Sequence, residues 1–331
     1  MTDPGTEIAN GRPSAALWRR LIDFDEAGLL LAFIVMVLVI GIPYPEFFHL
    51  GSIETVLRQT TFVAIIAFGM VFLVTMVEID LSVGGIYAVA IMSSALLIKA
   101  GIDPWIAAVV ALAAGVAMGA LNGILCNLLG VPLIIVSLGM LSVYFGINLI
   151  ISHGIAVYGM PRDHSFFRLI GGDVAGLPTP VWITILAGII LHFVLQHTRY
   201  GAIVRGIGSN IIAAEFLGVR VTRIRVVTTM LVGFLAALSG VMTLAFFKTA
   251  EPTIGTGIEL RVVAAVVIGG TSLAGGSGTI IGAALGTLLI TLIDSGLVFY
   301  GVDSNYSLFV TGIVIVGAIA LDRIAKRRKS G

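Results

Sequence analysis

Long apolar runs separated by short polar connections fill most of the chain, at about 27–43, 58–77, 82–98, 104–129, 131–152, 181–196, 226–248, 260–276, 278–299 and 306–321. A helix of about 20 residues crosses a hydrocarbon core of about 30 Å. The pattern therefore predicts an all-α, polytopic membrane protein with about ten transmembrane helices. The third and eighth runs are interrupted or flanked by the glycine pairs Gly84-Gly85 and Gly269-Gly270. Both are expected to be broken or re-entrant, since irregular backbone at membrane depth is tolerated only where protein or a water-filled cavity surrounds it. The chain divides into a polar segment at 1–26, one transmembrane domain at 27–321 and a basic tail at 322–331. The first apolar run lacks a small-residue cleavage pattern and many runs follow it, so it is expected to be a retained helix.

Two polar connections are long. Residues 153–180 carry the turn formers Pro161, Gly171, Gly172 and Pro178. Residues 197–225 carry five arginines and an amphipathic stretch from Ile211 to Leu217, with Ser209-Asn210 placed to cap it and Gly218 to stop it. A short helix outside the bilayer with an apolar face needs a surface to dock on.

Composition sharpens the class: 58% of residues are hydrophobic and 11% charged, against about 25% charged in a soluble domain. The net charge of +1 favours no anionic partner, but charge placement orients the chain. With the N-terminus in the cytoplasm, the inside segments hold Arg12, Arg19, Arg20, Arg199, Arg205, Arg220, Arg223, Arg225, Arg323, Lys326, Arg327, Arg328 and Lys329. The outside segments hold only Arg58, Lys99, Arg162, Arg168, Lys248 and Arg261. This asymmetry places both termini in the cytoplasm, 153–180 outside and 197–225 inside. Cys126 is the single cysteine, which excludes an intrachain disulfide and a multi-cysteine metal site.

Small residues recur every fourth position in the fourth run (Ala107, Ala111, Gly115, Gly119, Gly123) and the ninth (Gly278, Gly282, Gly286). Such stripes let helix backbones approach closely in lipid. Polar residues at membrane depth are few. Asn122, Asn148 and Asp294 are the clearest, with His192 near the end of the sixth run. An intramembrane carboxylate is costly enough to make Asp294 a functional candidate; an interhelical hydrogen bond or a position nearer the outer interface is its structural alternative. No HExxH or Ser-His-Asp arrangement and no basic-aromatic stripe for nucleic acid is present. Nor does any lysine follow a glycine and precede Ser or Thr, so the chain has no phosphate-binding loop with which to hydrolyse ATP.

Three stretches carry more information. They are Glu78-Ile79-Asp80-Leu81-Ser82-Val83-Gly84-Gly85, then Gly206-Ile207-Gly208-Ser209-Asn210 with Ala213-Ala214 and Leu217-Gly218-Val219, and then Val267 to Thr279 with Gly269-Gly270-Thr271-Ser272 and Gly275-Gly276. In this order they resemble the permease subunits of bacterial ATP-binding-cassette importers for monosaccharides, the family of the ribose, xylose and arabinose permeases, over about residues 50–320. Where that family commonly has Gly-Gly before Ile-Asp-Leu-Ser, this chain has Val77-Glu78. Read locally, Asp80 and Ser82 are placed to cap the following helix; a broken helix end facing a solute path is the functional alternative.

The resemblance implies a transport subunit, not an enzyme, that passes a small sugar across the cytoplasmic (inner) membrane by alternating access. It implies no cofactor on this chain, ATP and magnesium being used by a separate cytoplasmic ATPase subunit. It also implies a second permease subunit, identical or paired, and an extracytoplasmic solute-binding protein. The 197–225 loop then becomes the ATPase-coupling segment, with Arg205, Gly206, Gly208, Asn210, Ala213, Ala214, Gly218 and Arg220 as its candidate residues. Ala213, Ala214 and Gly218 would give a thin, closely packing face, and Arg205, Arg220, Arg223 and Arg225 would pair with acidic groups or lipid phosphates. Candidates for the translocation path are Asp80, Ser82, Asn122, Asn148, Gly269, Gly270, Thr271, Ser272 and Asp294. Import of branched-chain amino acids, nucleosides or a furanose signal by a related permease stays open, as does a stand-alone secondary transporter or channel.

Overall fold

The computed structural model describes residues 27–303 and positions 306, 309, 310, 312, 313 and 316. The segment 1–26, most of the tenth run and the tail 322–331 lie outside the described residues. The chain is an all-α polytopic membrane protein. In order it forms α1 (Ala27–Gly41), a 3-10 turn (Pro45–Phe48), α2 (Leu50–Thr75), α3 (Val83–Lys99), α4 (Pro104–Leu129), α5 (Leu133–Ser152) and α6 (Ser165–Ile170). A two-residue hairpin, β1 (Asp173–Val174) with β2 (Leu177–Pro178), precedes α7 (Thr179–His197), α8 (Arg199–Ser209), α9 (Ile211–Phe216), α10 (Val221–Phe247), α11 (Ile258–Ile268) and α12 (Ile280–Phe299).

Among the described residues six helices are long and apolar enough to cross a membrane: α2, α4, α5, α7, α10 and α12. The apolar helices α1 and α3 are shorter, and the eighth run contributes only the 11-residue α11. The break expected at Gly269-Gly270 is present, and the break in the third run falls before Val83, with Gly84-Gly85 inside α3. The 197–225 connection holds two helices, α8 as well as the expected α9.

The bundle is built around α2 and α10. Of an apolar 18-residue stretch in each helix, 78% is buried in α2 and 67% in α10, against 22% in α5. Leu31, Ile135, Ile150 and Ile189 on the outer helices are exposed, as expected where the solvent is lipid rather than water. Helix α10 packs most extensively on α4, and the small-residue stripe is the reason. Ala107, Ala111, Gly115, Gly119 and Gly123 are all buried. A Cβ on Gly119 would strike the Thr229 backbone carbonyl of α10, so only the bare backbone lets the axes come this close. The α12 stripe works likewise: Gly282 faces the Gly269 carbonyl and Gly286 that of Ala265, while Gly278 lies in the turn before the helix.

The two ends of the bundle are closed differently. At one end, an antiparallel bridge between Val157 and Ala250 joins the segments after α5 and α10. At the other end sit α8, α9 and the glycine turn between α11 and α12.

Candidate functional site

The three sequence stretches converge on the end of the bundle that carries α8 and α9. The Gly276 amide donates to the Thr75 carbonyl at the end of α2 (2.9 Å). Gly208, in the last turn of α8, packs on that same carbonyl so closely that a Cβ would overlap it. Gly275 takes a left-handed conformation (φ +84°), and a Cβ there would come 2.6 Å from the Gly208 carbonyl oxygen. Glycine is required at both positions, for close approach at the first and for both reasons at the second. Ser272 N–H donates to Ser277 O (3.1 Å), and the Ser272 hydroxyl accepts from Ala274 N–H (3.3 Å). Gly269, Gly270, Thr271 and Ser272 thus build the turn itself. A cleft of about 720 Å³ opens beside it, lined in part by Glu78, Asn210, Ile212, Arg225 and Leu273.

Helix α9 stands on this junction. Asn210 caps it, its side-chain oxygen accepting from Ala213 N–H (2.9 Å), and Gly218 ends it at φ +83°. The expected cap and stop are both present. Ala214 is buried against the bundle, whereas Ile211, Ile212, Ala213, Phe216 and Leu217 point away from it. Phe216 is 88% exposed and Leu217 85%. The outward face therefore includes a bulky apolar knob; of the thin face expected from Ala213, Ala214 and Gly218, the first and last are exposed, while Ala214 is turned inward and seats the helix.

The arginines divide as well. Arg205 turns inward, its guanidinium donating to Leu195 O (2.5 Å) and Gln196 Oε1 (2.9 Å). Arg225 donates to Glu78 Oε1 (2.5 Å) and Asn127 Oδ1 (2.6 Å). Burial pushes the Glu78 carboxyl above its ordinary range against the pull of Arg225. Arg225 thus pairs with an acidic group as expected, one within this chain, whereas Arg205 is held by a backbone carbonyl and an amide; Arg220 and Arg223 are exposed. Val77, where the family commonly has glycine, adopts φ +64°.

The candidate path residues fall in three further places. Asp80, Ser82 and Asn122 form one fully buried cluster. Asp80 Oδ1 accepts from Ser82 N–H (2.8 Å) and Ser82 Oγ–H (2.6 Å). The Asn122 amide donates to Ser82 Oγ (2.6 Å) and Asp80 Oδ2 (3.2 Å), and the Tyr144 hydroxyl donates to Asn122 Oδ1 (2.9 Å). Ser82 precedes α3 without a side-chain capping bond. The expected cap is corrected to a local Asx turn clamped by α4 and α5: Asp80 is occupied by Ser82 and Asn122, and Leu81 N–H by Ser137 (3.0 Å).

Asn148 lies elsewhere and donates to Pro252 O (2.7 Å), holding the segment that leads back into the bundle before α11. Glu259 in that first turn of α11 is buried beside Gly84. Asp294 pairs with Arg261 of α11 (3.3 Å). Fourteen residues separate Asp294 from the start of α12, which is about 21 Å at 1.5 Å per residue. His192 borders an apolar groove with Thr184, away from all of these.

Three features escaped the sequence reading: the pairing of Glu78 with Arg225, Glu259, and Arg261 as the partner of Asp294. Glu259-Leu260-Arg261, two charges at the head of an apolar run, was a usable signal. Nothing in the sequence pairs Glu78 with Arg225, which are 147 positions apart.

The family model described as branched-chain amino acid transport system / permease component matches residues 52–319. The ribose import permease protein of Escherichia coli K12 is 35% identical over 295 residues, covering 88% of this chain and 92% of that protein. The ribose import permease protein of Bacillus subtilis is 36% identical over 309 residues, 92% and 96% of the two chains. The L-arabinose ABC transporter permease protein of Azospirillum brasilense is 29% identical over 326 residues, 98% and 95% of the two. No solved structure matches the chain significantly.

Proposed function

Because this chain belongs to the family of branched-chain amino acid transport system permease components, we propose that it is the translocating subunit of an ATP-binding-cassette importer and that its solute is a small sugar. The relatives named as ribose, allose and arabinose permeases support the sugar. The observation that carries the mechanism is α9, a capped helix presenting Phe216 and Leu217 outward and seated on the glycine junction of α2, α8 and the α11–α12 turn. An ATPase subunit that grips this knob pulls on three elements at once. Thr75, Gly208 and Gly276 touch through backbone, so movement of α9 passes to the ends of α2 and α12 without slack in flexible side chains.

In this reading α8 and α9 lie at the cytoplasmic face and the Val157–Ala250 bridge at the opposite face. Short helices α1 and α3, the broken α11 and the run at 306–321 complete about ten crossings, and both termini are cytoplasmic. ATP and magnesium are used on the partner ATPase. A second permease copy, identical or related, completes the path, and an extracytoplasmic binding protein delivers the sugar.

Proteoliposomes holding this chain, its ATPase and its binding protein test the reading. Labelled ribose, allose and arabinose are offered with and without ATP. ATP-dependent uptake of at least one is expected. Full-rate uptake without ATP overturns the importer assignment and favours a secondary transporter. The family description supports a second reading, import of a branched-chain amino acid, and saturable ATP-driven leucine uptake is the result that would establish it.

A further inference from the structure

A polar cleft of about 370 Å³ lies between α2, the start of α3, the segment ahead of α11, and α12. It is remote from the glycine junction: Asp294 in its wall stands about 21 Å along α12 from that end, two-thirds of the way along a 20-residue helix. Arg261 and Asp294 line it as an ion pair at 3.3 Å, their side chains 35% and 16% exposed. Gln59 and Thr256 are exposed residues of its lining. Thr291 and Tyr87 are buried in its wall. The Tyr87 hydroxyl is already committed to Thr243 Oγ1 (3.0 Å), so Tyr87 offers the cleft its ring and not its oxygen.

We infer that this cleft is the solute-recognition site, and that it takes a neutral polyhydroxyl solute of monosaccharide size. The inference rests on the proposed importer function and deepens it by naming where the sugar is read.

Asp294 is 16% exposed against 35% for Arg261, so it is chiefly the carboxylate that gives up hydration to stand in this wall. A bundle needing only cohesion is served better by apolar packing of similar volume. The pair therefore calls for a use, and its neighbours supply one. A guanidinium donates to hydroxyl oxygens and a carboxylate accepts from hydroxyl hydrogens; charge-assisted bonds of this kind are about twice as strong as neutral ones. The Gln59 amide both donates and accepts, while the hydroxyls of Thr256 and Thr291, which donate to Thr253 O (2.8 Å) and Thr287 O (3.0 Å), offer oxygens that accept. The Tyr87 ring gives an apolar face for the C–H side of a pyranose or furanose. Sugars are matched by this mixture because each hydroxyl is both donor and acceptor. A solute with net charge would be opposed by one member of the pair. The volume lies at the lower end of the range for ligand sites, about 300–1,000 Å³. The cleft is made by the helices that the glycine junction moves: α2 and α12 contribute walls at this level and meet the coupling end at Thr75 and Gly278. A displacement there would change the width of the cleft, as alternating access requires.

The test uses the complete importer in proteoliposomes with labelled D-ribose, D-allose and L-arabinose, after wild-type ATP-driven uptake of one of them is established. That control isolates the inference from the function on which it rests: without it the importer reading has failed, not the site. Two variants are compared, Asp294→Asn, which removes the charged acceptor, and Thr256→Trp, which fills the cleft from an exposed position and leaves the pair intact. Copurification with the ATPase checks assembly. Asp294→Asn is expected to lower uptake at limiting sugar by about tenfold or more, the effect of losing one charged hydrogen bond, and Thr256→Trp by at least as much, because its indole takes the volume of the sugar. Asp294→Asn should also alter the preference among the three sugars. If Asp294→Asn fails to assemble, Thr256→Trp decides alone. Wild-type uptake by an assembled Thr256→Trp importer overturns the site, and so does leucine displacing the sugar from uptake.

Discussion

Replacing Phe216 with alanine probes the knob on α9 without disturbing the fold. The ring is 88% exposed, so truncation removes almost no packing within this chain and the melting temperature should not move. If an ATPase groove covers the ring, nearly the whole side chain leaves water on assembly. Full burial of such a side chain is worth about 1.5–3 kcal/mol. At about 2 kcal/mol, the loss corresponds to a dissociation constant about 30-fold weaker, taking 1.36 kcal/mol per factor of ten. Leu217→Ala, at 85% exposure, should weaken binding by about tenfold on the same basis. Affinity is measured in detergent or nanodiscs by titrating labelled ATPase subunit onto the purified permease, with thermal unfolding run in parallel. An unchanged dissociation constant for both Phe216→Ala and Leu217→Ala would refute docking through α9. A fall in melting temperature would show instead that the ring packs within the chain.

Further outcomes follow from particular contacts. Gly119→Val drives a side chain into the Thr229 carbonyl of α10 and should cost about 1–3 kcal/mol, read as a lower midpoint in thermal unfolding; an unchanged midpoint would mean the α4–α10 seam is looser than described. Val77→Gly should stabilise by up to about 1 kcal/mol, since relief of a β-branched residue at φ +64° is worth about 1–2 kcal/mol and the added freedom of the unfolded chain offsets about 0.4–1 kcal/mol of it; a lower midpoint would contradict this. Arg225→Met strands the partly buried Glu78 carboxylate and should destabilise by about 1–3 kcal/mol, whereas Glu78→Gln with Arg225→Met should recover most of the loss, measured as a double-mutant cycle. Simple additivity would show that the two side chains do not act as a pair.

Particular elements show what could be read from the chain alone. The α9 cap at Asn210, its stop at Gly218 and the small-residue seam of α4 are local or periodic features, so spacing and residue type were enough to place them. Hydropathy fixed the all-α membrane class, because transfer of ~20-residue runs into hydrocarbon depends on composition more than on neighbours. The break of the eighth run at Gly269 was legible from the glycine pair itself, a local feature. That Arg225 pairs with an acidic group was expected, but not which one, because a guanidinium does not announce its partner. Whether Arg225 reaches outward or turns to Glu78 depends on α2 and α10 lying side by side.

Sequence by itself determined the membrane-spanning class, the close-packing stripes and a capped amphipathic helix in the 197–225 connection. Tertiary structure alone decided that Ala214 faces inward and Phe216 outward, and that Asp80 is spent on Ser82 and Asn122. It also decided that Asp294 meets Arg261 in a cleft. The physical reason is the range of the interactions. Hydrophobic transfer and capping act within a turn or a span, whereas ion pairs and backbone-to-backbone seams join residues that only the packed bundle brings together.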